Sequence, residues 1–97
     1  MKRDTNTESL KEVIDRFLNK YKLEGKYKEQ RVAACWHELL GKVISGKTRE
    51  INLKNGVLIV KMESAVIRNE LTYAKDKLIA ELNKTLGEDL VKSIELR

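Results

Sequence analysis

Hydrophobic and polar residues alternate along this chain with two different periods, and each change of period marks the border of a predicted element. Up to about residue 44 the apolar residues recur every three or four positions, which is the spacing of one face of an α-helix. From residue 49 to residue 62 the spacing becomes that of β-strands, and helical spacing returns from residue 64 to residue 86. The pattern therefore predicts two helices, a β-hairpin, a third helix and, over residues 91–97, a last short strand.

The first helix is predicted to begin at Ser9, because Ser9 and Glu12 have the three-residue spacing of a capping box. Residues 24–29 are short and polar, so the first two helices are expected to form a hairpin whose apolar stripes face each other. Residues 1–8 are predicted to be a flexible tail before a single domain over residues 9–97. The apolar stripe of the first helix comprises Leu10, Val13, Ile14, Phe17, Leu18 and Tyr21.

The second helix carries the only tryptophan of the chain, within residues 30–41. An indole in the middle of an apolar helical stripe usually faces inward, so Trp36 is predicted to lie at the centre of the core. Gly41 is expected to end this helix as a C-cap. Cys35, the only cysteine, lies in the same stripe and is interpreted as a small buried hydrophobic side chain. The stripe comprises Val32, Cys35, Trp36, Leu39 and Val43.

Asn55 and Gly56 separate the two strand-like runs and predict a hairpin, since a type I′ turn needs positive φ at both central residues. This two-residue loop sets the register of the two strands, and the register decides which side chains share the core face. The predicted pairs are Lys54 with Val57, Leu53 with Leu58, Ile51 with Val60, Glu50 with Lys61 and Arg49 with Met62.

Ser64 is a good N-cap for one long helix that Gly87 ends. At about 1.5 Å per residue this helix would be longer than the strands, so one end overhangs the sheet or the helix bends. The last strand should run parallel to the second strand through a right-handed crossover. The predicted fold class is therefore α+β, with the order α-α-β-β-α-β and a three-stranded mixed sheet covered by helices.

The positive charge is concentrated in one part of the chain. The net charge is +5, but residues 16–49 alone hold nine basic and three acidic residues, a difference of +6. Such a region favours a polyanion partner, because each neutralised phosphate releases condensed counterions. A solvated surface that keeps the protein soluble explains the same charge equally well. The candidate phosphate-binding residues are Lys20, Lys22, Lys26, Lys28, Arg31, Lys42, Lys47 and Arg49.

Residues 41–48, GKVISGKT, match the pattern of a nucleotide-binding loop, but their context does not fit. That loop must leave a strand and enter a helix, whereas here a predicted helix precedes it and a strand follows. His37 is the only histidine, and Ser45 and Ser64 have no nearby base in the sequence. No enzyme, cofactor, metal site or small-molecule substrate is therefore predicted.

No apolar run approaches the roughly 20 residues that cross a bilayer, and the first residues lack the apolar block of a signal peptide. These features predict a cytoplasmic protein without a membrane partner. Few aromatic residues accompany the positive charge, and Tyr21, Tyr27 and Tyr73 are the plausible exposed rings. This argues against strong stacking of single-stranded bases.

From about Ser9 to Arg97 the chain resembles the DciA-like family. The resemblance is carried by four segments between the capped first helix and the short last strand: VAACWHELLG, LKNGVLIVKMES, RNEL and ELNKTLG. The resemblance implies a KH-like α+β domain that associates with the replicative helicase, helps to place it on DNA and has affinity for DNA. Members often carry a second tryptophan where this chain has Ile67, so no role of that ring is carried over. No GxxG loop is present, and the KH-like description therefore concerns topology alone.

The leading hypothesis is a non-enzymatic DNA-replication accessory, in which the eight basic residues contact single- or double-stranded DNA and another surface contacts the helicase. The first alternative is a protein-interaction adaptor without a nucleic-acid ligand, which would use Val57 and Ile59 or the overhanging helix. A small RNA-binding module is the second alternative.

Overall fold

A computed structural model describes the backbone of residues 2–97 and the side chains of residues 9–97. Its four helices and three strands confirm the α+β class, with one helix more than the predicted order. Met1 and the side chains of residues 1–8 lie outside the described part, so the flexible tail predicted for residues 1–8 stays a prediction. The KH-like topology also stays a prediction. The elements are α1 (Lys2–Lys20), α2 (Glu24–Gly46), β1 (Thr48–Lys54), β2 (Val57–Met62), α3 (Ala65–Thr72), α4 (Lys75–Leu86) and β3 (Ser93–Leu96).

The strands form one sheet in the order β1-β2-β3, with β1 antiparallel and β3 parallel to β2, as predicted. Asn55 (φ 51°) and Gly56 (φ 81°) have the positive φ values of a type I′ turn. The predicted register is confirmed from this turn as far as Glu50 opposite Lys61. The pairing of Arg49 with Met62 is wrong, because the register shifts between Thr48 and Glu50 and Met62 lies opposite Thr48. Such a shift is the mark of a β-bulge, which adds one unpaired residue.

The long helix predicted after the hairpin is two helices, α3 and α4. Ala74 interrupts them with φ −111° and ψ 13°, outside the helical range. A bend was one of the two predicted ways to fit a long helix against short strands. The packing shows that the bend lets the two halves contact different elements. Helix α3 packs on β2, whereas α4 packs on α2 and β3. A straight helix over the same residues could not follow both directions.

Trp36 lies fully buried at the centre of the core, as predicted. Its indole Nε1 donates a hydrogen bond to Thr48 Oγ1 at 3.1 Å, and that hydroxyl donates to the carbonyl of Ile44 at 2.8 Å. Cys35 is also buried, and burial raises the pKa of its thiol. The core comprises Val32, Cys35, Trp36, Leu58, Val60, Met62, Leu71, Leu78, Leu82, Val91 and Ile94.

Gly41 kinks α2, with φ 79° and ψ 176° inside the helix range. The prediction that Gly41 ends this helix is wrong, because helical residues continue to Gly46 and the C-cap is Lys47. Its positive φ still favours glycine, although its ψ lies far from that of a left-handed C-cap. The kink also explains why the predicted stripe stops early. Val43 should have continued it, but the helical phase is lost at Gly41 and 74% of Val43 is exposed.

Helix α1 departs most from the sequence expectation. It runs through Ser9 from Lys2, so the predicted capping box does not begin it. Only Leu18 of its predicted stripe is half-buried, beside α2, because the inward stripe of α2 already contacts the sheet and α4. The exposed side chains are Leu10 (60%), Val13 (49%), Ile14 (42%), Phe17 (54%) and Tyr21 (55%).

The turn between α1 and α2 is centred on Lys22, and α2 already begins at Glu24. Lys22 has a left-handed φ of 55°. The N–H of Leu23 donates to the carbonyl of Leu18 at 2.8 Å, and that of Lys22 donates to Asn19 at 3.2 Å. These two bonds form a Schellman motif, in which glycine usually takes the position of Lys22.

Two side chains connect the end of α4 to the rest of the fold. Arg31 of α2 contacts the Glu88 carboxylate at 2.6 Å and donates to the carbonyl of Leu86 at 2.9 Å. The amide of Asn83 donates to the carbonyl of Val91 at 2.8 Å and accepts from its N–H at 2.9 Å. Together they set where the chain turns from α4 into β3.

Replacing Lys22 with glycine should stabilise the α1–α2 turn. The left-handed conformation costs a side-chain-bearing residue about 1–2 kcal/mol, which exceeds the entropy that glycine adds to the unfolded chain. We expect hydrogen exchange of the α1 amides to slow about two- to fivefold in Lys22→Gly. Lys22→Ala removes the same charge but keeps the strain, and it should show no slowing. Equal exchange rates in the two variants would contradict this account of the turn.

The contact between Arg31 and Glu88 should make stability depend on pH in acid. Hydrogen bonding and charge from Arg31 lower the pKa of Glu88 below its ordinary value of 4.5. The contribution is therefore complete above about pH 4.5 and is lost as the pH falls through the lower folded pKa. Glu88→Gln should lower the Tm slightly at pH 7, and its difference from the wild type should shrink as the pH falls and Glu88 becomes protonated. Glu81→Gln, on the exposed side of α4, is the matched control and should follow the wild type throughout.

Candidate nucleic-acid interface

The structure places the eight predicted phosphate-binding residues in two groups near the two ends of α2, with Arg31 apart. Seven of the eight have exposed side chains, and Arg31 is half-buried. We call the residues near the start of α2 the first cluster and those near its end the second cluster. The first cluster comprises Lys20, Lys22, Lys26 and Lys28, and the second comprises Lys42, Lys47 and Arg49.

The first cluster is built by the turn between the two helices. Lys20 ends α1, Lys22 holds the left-handed position, and Lys26 and Lys28 lie in the first turns of α2 rather than in a linker. Lys28 also lines a cleft beside the hairpin tip, where Gly56 forms part of the wall.

Lys92 joins this end of the molecule, although the sequence did not indicate it. It lines the same cleft as Lys28, together with Asp89, and a Cβ built on Gly56 would lie 3.0 Å from its side chain. The register of β3, with Ser93 opposite Val57, brings Lys92 to the hairpin tip. That register was the missing information, because the sequence predicted parallel pairing without fixing its position.

The second cluster lies where α2 passes into β1. Lys42 follows the Gly41 kink, Lys47 is the C-cap of α2, and Arg49 lies at the irregularity in β1. The N–H of Glu63 donates to the carbonyl of Lys47 at 2.8 Å, which holds the end of β2 against this turn. The cluster is therefore at the open end of the hairpin, opposite its tip.

The distance between the clusters follows from the length of α2. The 13 helical steps from Lys28 to Gly41 span about 20 Å, at about 1.5 Å per residue. This separation exceeds the Debye length of about 8 Å at physiological salt, so a small anion would interact electrostatically with one cluster at a time. About six base pairs of duplex cover the same distance.

Acidic residues between the clusters differ in their availability. Glu29 is half-buried, and its carboxylate accepts a hydrogen bond from the N–H of Leu53 in β1 at 3.0 Å. Glu38 is exposed on α2. Between the clusters, the negative charge that a bound polyanion would meet therefore comes mainly from Glu38.

Arg31 does not join either cluster, because the fold uses its guanidinium. Its two terminal nitrogens contact Glu88 and the carbonyl of Leu86, and its central carbon lies 6.0 Å from the ring centre of Tyr27. A phosphate would have to compete with these contacts.

One exposed aromatic side chain was missed by the sequence analysis. The three tyrosines predicted to be exposed are exposed, and so is Phe17, which the helical stripe had suggested would face α2. Its ring centre lies 4.7 Å from that of Tyr21, with a tilt of 49°. Lys20 Nζ lies 5.6 Å from the centre of the Tyr21 ring. The periodicity of α1 alone could not distinguish a buried stripe from an exposed one.

The segment over residues 41–48 joins a helix to a strand, which is the order that led us to reject nucleotide binding. Its threonine, Thr48, has a structural use, since its hydroxyl accepts from Trp36 and donates to Ile44. In a nucleotide-binding loop the same hydroxyl would have to reach a metal ion.

The expectation that Ser45 has no nearby base is wrong, because His37 Nδ1 contacts Ser45 Oγ. Within residues 9–97 no carboxylate hydrogen-bonds to His37 to orient it, so the pair lacks the third group of a catalytic triad. No three His, Cys, Asp or Glu side chains in this range are grouped so that they could hold a metal ion. None of the described helices has the length and apolar character to span a membrane.

A known protein family matches this chain. No curated protein is similar enough to the chain to count as a match. The family model described as "Dna[CI] antecedent, DciA" matches residues 9–96, which include the whole sheet and the Trp36 core. The resemblance carried by VAACWHELLG and LKNGVLIVKMES is thus confirmed. Because the match spans almost the entire chain, this protein belongs to the DciA family, which implies a role in DNA replication and association with the replicative helicase.

Proposed function

We propose that this protein is a non-enzymatic DNA-replication accessory that binds nucleic-acid phosphates through its first and second clusters and contacts the replicative helicase with another surface. Membership of the DciA family supports the helicase partner. The two exposed clusters support the nucleic-acid ligand, which the family name by itself does not specify. The chemistry required is binding alone, without a cofactor, and its setting is the cytoplasm.

The observation that carries this proposal is the availability of the basic side chains. Among the described side chains, the salt bridges are those of Arg31 with Glu88 and Arg97 with Glu95, and neither involves a member of the clusters. Phosphates would therefore not have to displace an acidic partner from Lys26, Lys28, Lys47 or Arg49. Each contact formed would release a counterion from the nucleic acid, and the affinity would depend little on sequence.

The adaptor without a nucleic-acid ligand is the competing function. The half-buried Val57 and Ile59 on the outward face of the sheet, and the exposed apolar side of α1, favour a protein contact in either case. The two functions differ in whether the basic side chains bind nucleic acid. An experiment that distinguishes them must therefore change the charge of these side chains.

Reversing the charge of either cluster should weaken DNA binding. We expect Lys26→Glu/Lys28→Glu and Lys47→Glu/Arg49→Glu each to lower the affinity for a 12-base-pair duplex. The slope of log K against log salt should become shallower by about 2 for two lost phosphate contacts. Fluorescence anisotropy at several salt concentrations measures both. Lys77→Glu/Lys84→Glu on the exposed part of α4 makes the same change of charge and is the matched control.

Three outcomes would contradict parts of the proposal. Unchanged DNA affinity in both cluster variants would show that these residues are not the site. Absence of wild-type binding to single- and double-stranded DNA, even at low salt, would favour the adaptor. Tighter binding to structured RNA than to either form of DNA would favour an RNA-binding module.

A further inference from the structure

The apolar side of α1 holds five of the ten large hydrophobic side chains that are exposed within residues 9–97. It comprises Leu10, Val13, Ile14, Phe17 and Tyr21, and we call it the α1 stripe. Each of these side chains is between 42% and 60% exposed. The stripe extends over about 17 Å of helix, and α2 is the only element against which α1 packs appreciably. An amphipathic helix with such a face left in solvent is suited to pair with another apolar surface.

The two borders of the α1 stripe carry different charge. On one border lie Arg16 and Lys20, one helical turn apart, and neither forms a salt bridge with a described side chain. Glu12 is a turn before Arg16, but helical geometry places it almost opposite the stripe. The other border faces α2 across a cleft of about 560 Å³, and Leu10 and Ile14 of the stripe line this cleft beside charges of both signs, including Asp15 and Lys28. The charged side chains nearest the stripe on the border that is open to solvent are therefore those of Arg16 and Lys20.

This charge pattern disfavours a second copy of the chain as the occupant. In an antiparallel pair of identical helices, each border meets the same border of the other copy. Arg16 and Lys20 would then face Arg16 and Lys20 of the second copy, and like charges at that distance repel. An occupant with acidic residues beside its apolar face meets no such repulsion.

A single nucleic-acid strand fits the positive border but not the length of the stripe. Bases stack on planar rings, and the α1 stripe offers only Phe17 and Tyr21, whose tilted rings already contact each other. Leu10, Val13 and Ile14 continue the stripe with branched side chains that present no plane. Branched apolar side chains at helical spacing are what a second helix packs against, ridge into groove.

From this apolar and charge complementarity we propose that the α1 stripe, with Arg16 and Lys20 beside it, binds an amphipathic α-helix of the replicative helicase whose apolar face is bordered by Asp or Glu. The inference rests on the proposed function and names the face that contacts the helicase. Apolar burial supplies most of the affinity, whereas the charged border sets the orientation and speeds association. Lys20 also belongs to the first cluster, so DNA and the helicase helix would meet at the end of α1.

The apolar part is tested with the purified replicative helicase of the same organism. Val13→Gln/Phe17→Gln removes two central side chains and keeps good helix formers, and it should weaken binding at least about tenfold. Val43→Gln/Val66→Gln removes two exposed apolar side chains elsewhere and should bind like the wild type. Because all four residues are exposed, the Tm of both variants should match that of the wild type.

The charged part is tested by the salt dependence of the same binding. Arg16→Glu should slow association with the helicase several-fold at low salt, and the difference should shrink as salt screens the charge. Lys77→Glu on α4 makes the same change of charge away from α1 and should leave the rate as it is. A salt-independent loss in Arg16→Glu would count against a charge-steered contact.

The remaining outcomes separate this inference from the proposed function. If the wild type does not bind the helicase, both fail. If the wild type binds and Val13→Gln/Phe17→Gln binds equally well, the inference alone is overturned. It is also overturned if that variant keeps the helicase but loses a single-stranded oligonucleotide. Sedimentation equilibrium that shows a wild-type dimer, dissociated by the same variant, would make a second copy the occupant and would overturn it as well.

Discussion

The fold depends on burying the indole of Trp36 without leaving its N–H unpaired. Burial of this ring removes more apolar surface from water than any other side chain here can, but an unsatisfied buried donor would cost about 1–3 kcal/mol. Thr48 resolves the conflict because its hydroxyl accepts the indole hydrogen bond at 3.1 Å and donates a hydrogen bond to the carbonyl of Ile44. One hydroxyl thus holds together the centre of α2, the segment after its kink and the start of β1. The positions of the second cluster follow from this junction, since Lys47 and Arg49 flank Thr48.

The sequence predicted those parts of the fold that short-range rules determine. Asn55 and Gly56 could only form a tight hairpin turn, and the turn then determined the register as far as Glu50. Trp36 in an apolar stripe had to face inward. The break at Ala74 was visible only as an excess of length, because no proline or glycine marks it. The Arg49 bulge had no signal, since a bulge depends on how the strand meets the Thr48 junction.

The sequence predicted which basic residues belong to the candidate site, but it did not predict how they are arranged on the surface. Exposure of Lys26, Lys28, Lys47 and Arg49 follows from composition, whereas their separation into two clusters follows from the direction in which α2 crosses the sheet. Arg31 and Lys92 show that contacts between distant parts of the chain could not be predicted from the sequence. The partner of Arg31 is Glu88, 57 residues away, and Lys92 lines the same cleft as Lys28 because of the β3 register. The exposed α1 stripe was missed because helical periodicity reports that a face is apolar and not what covers it.

The hydrogen bond from Leu53 to Glu29 has a consequence for how the protein associates. An outer strand carries unpaired N–H and C=O groups that can recruit a strand from another molecule. Here a carboxylate from α2 occupies one such N–H on β1, 3.0 Å away, and a strand added along that side would have to displace it. Growth of the sheet by strand addition is therefore hindered on the β1 side. The free side of β3 offers only the four residues of Ser93–Leu96, so a protein this rich in exposed apolar side chains has little opportunity to polymerise through its sheet.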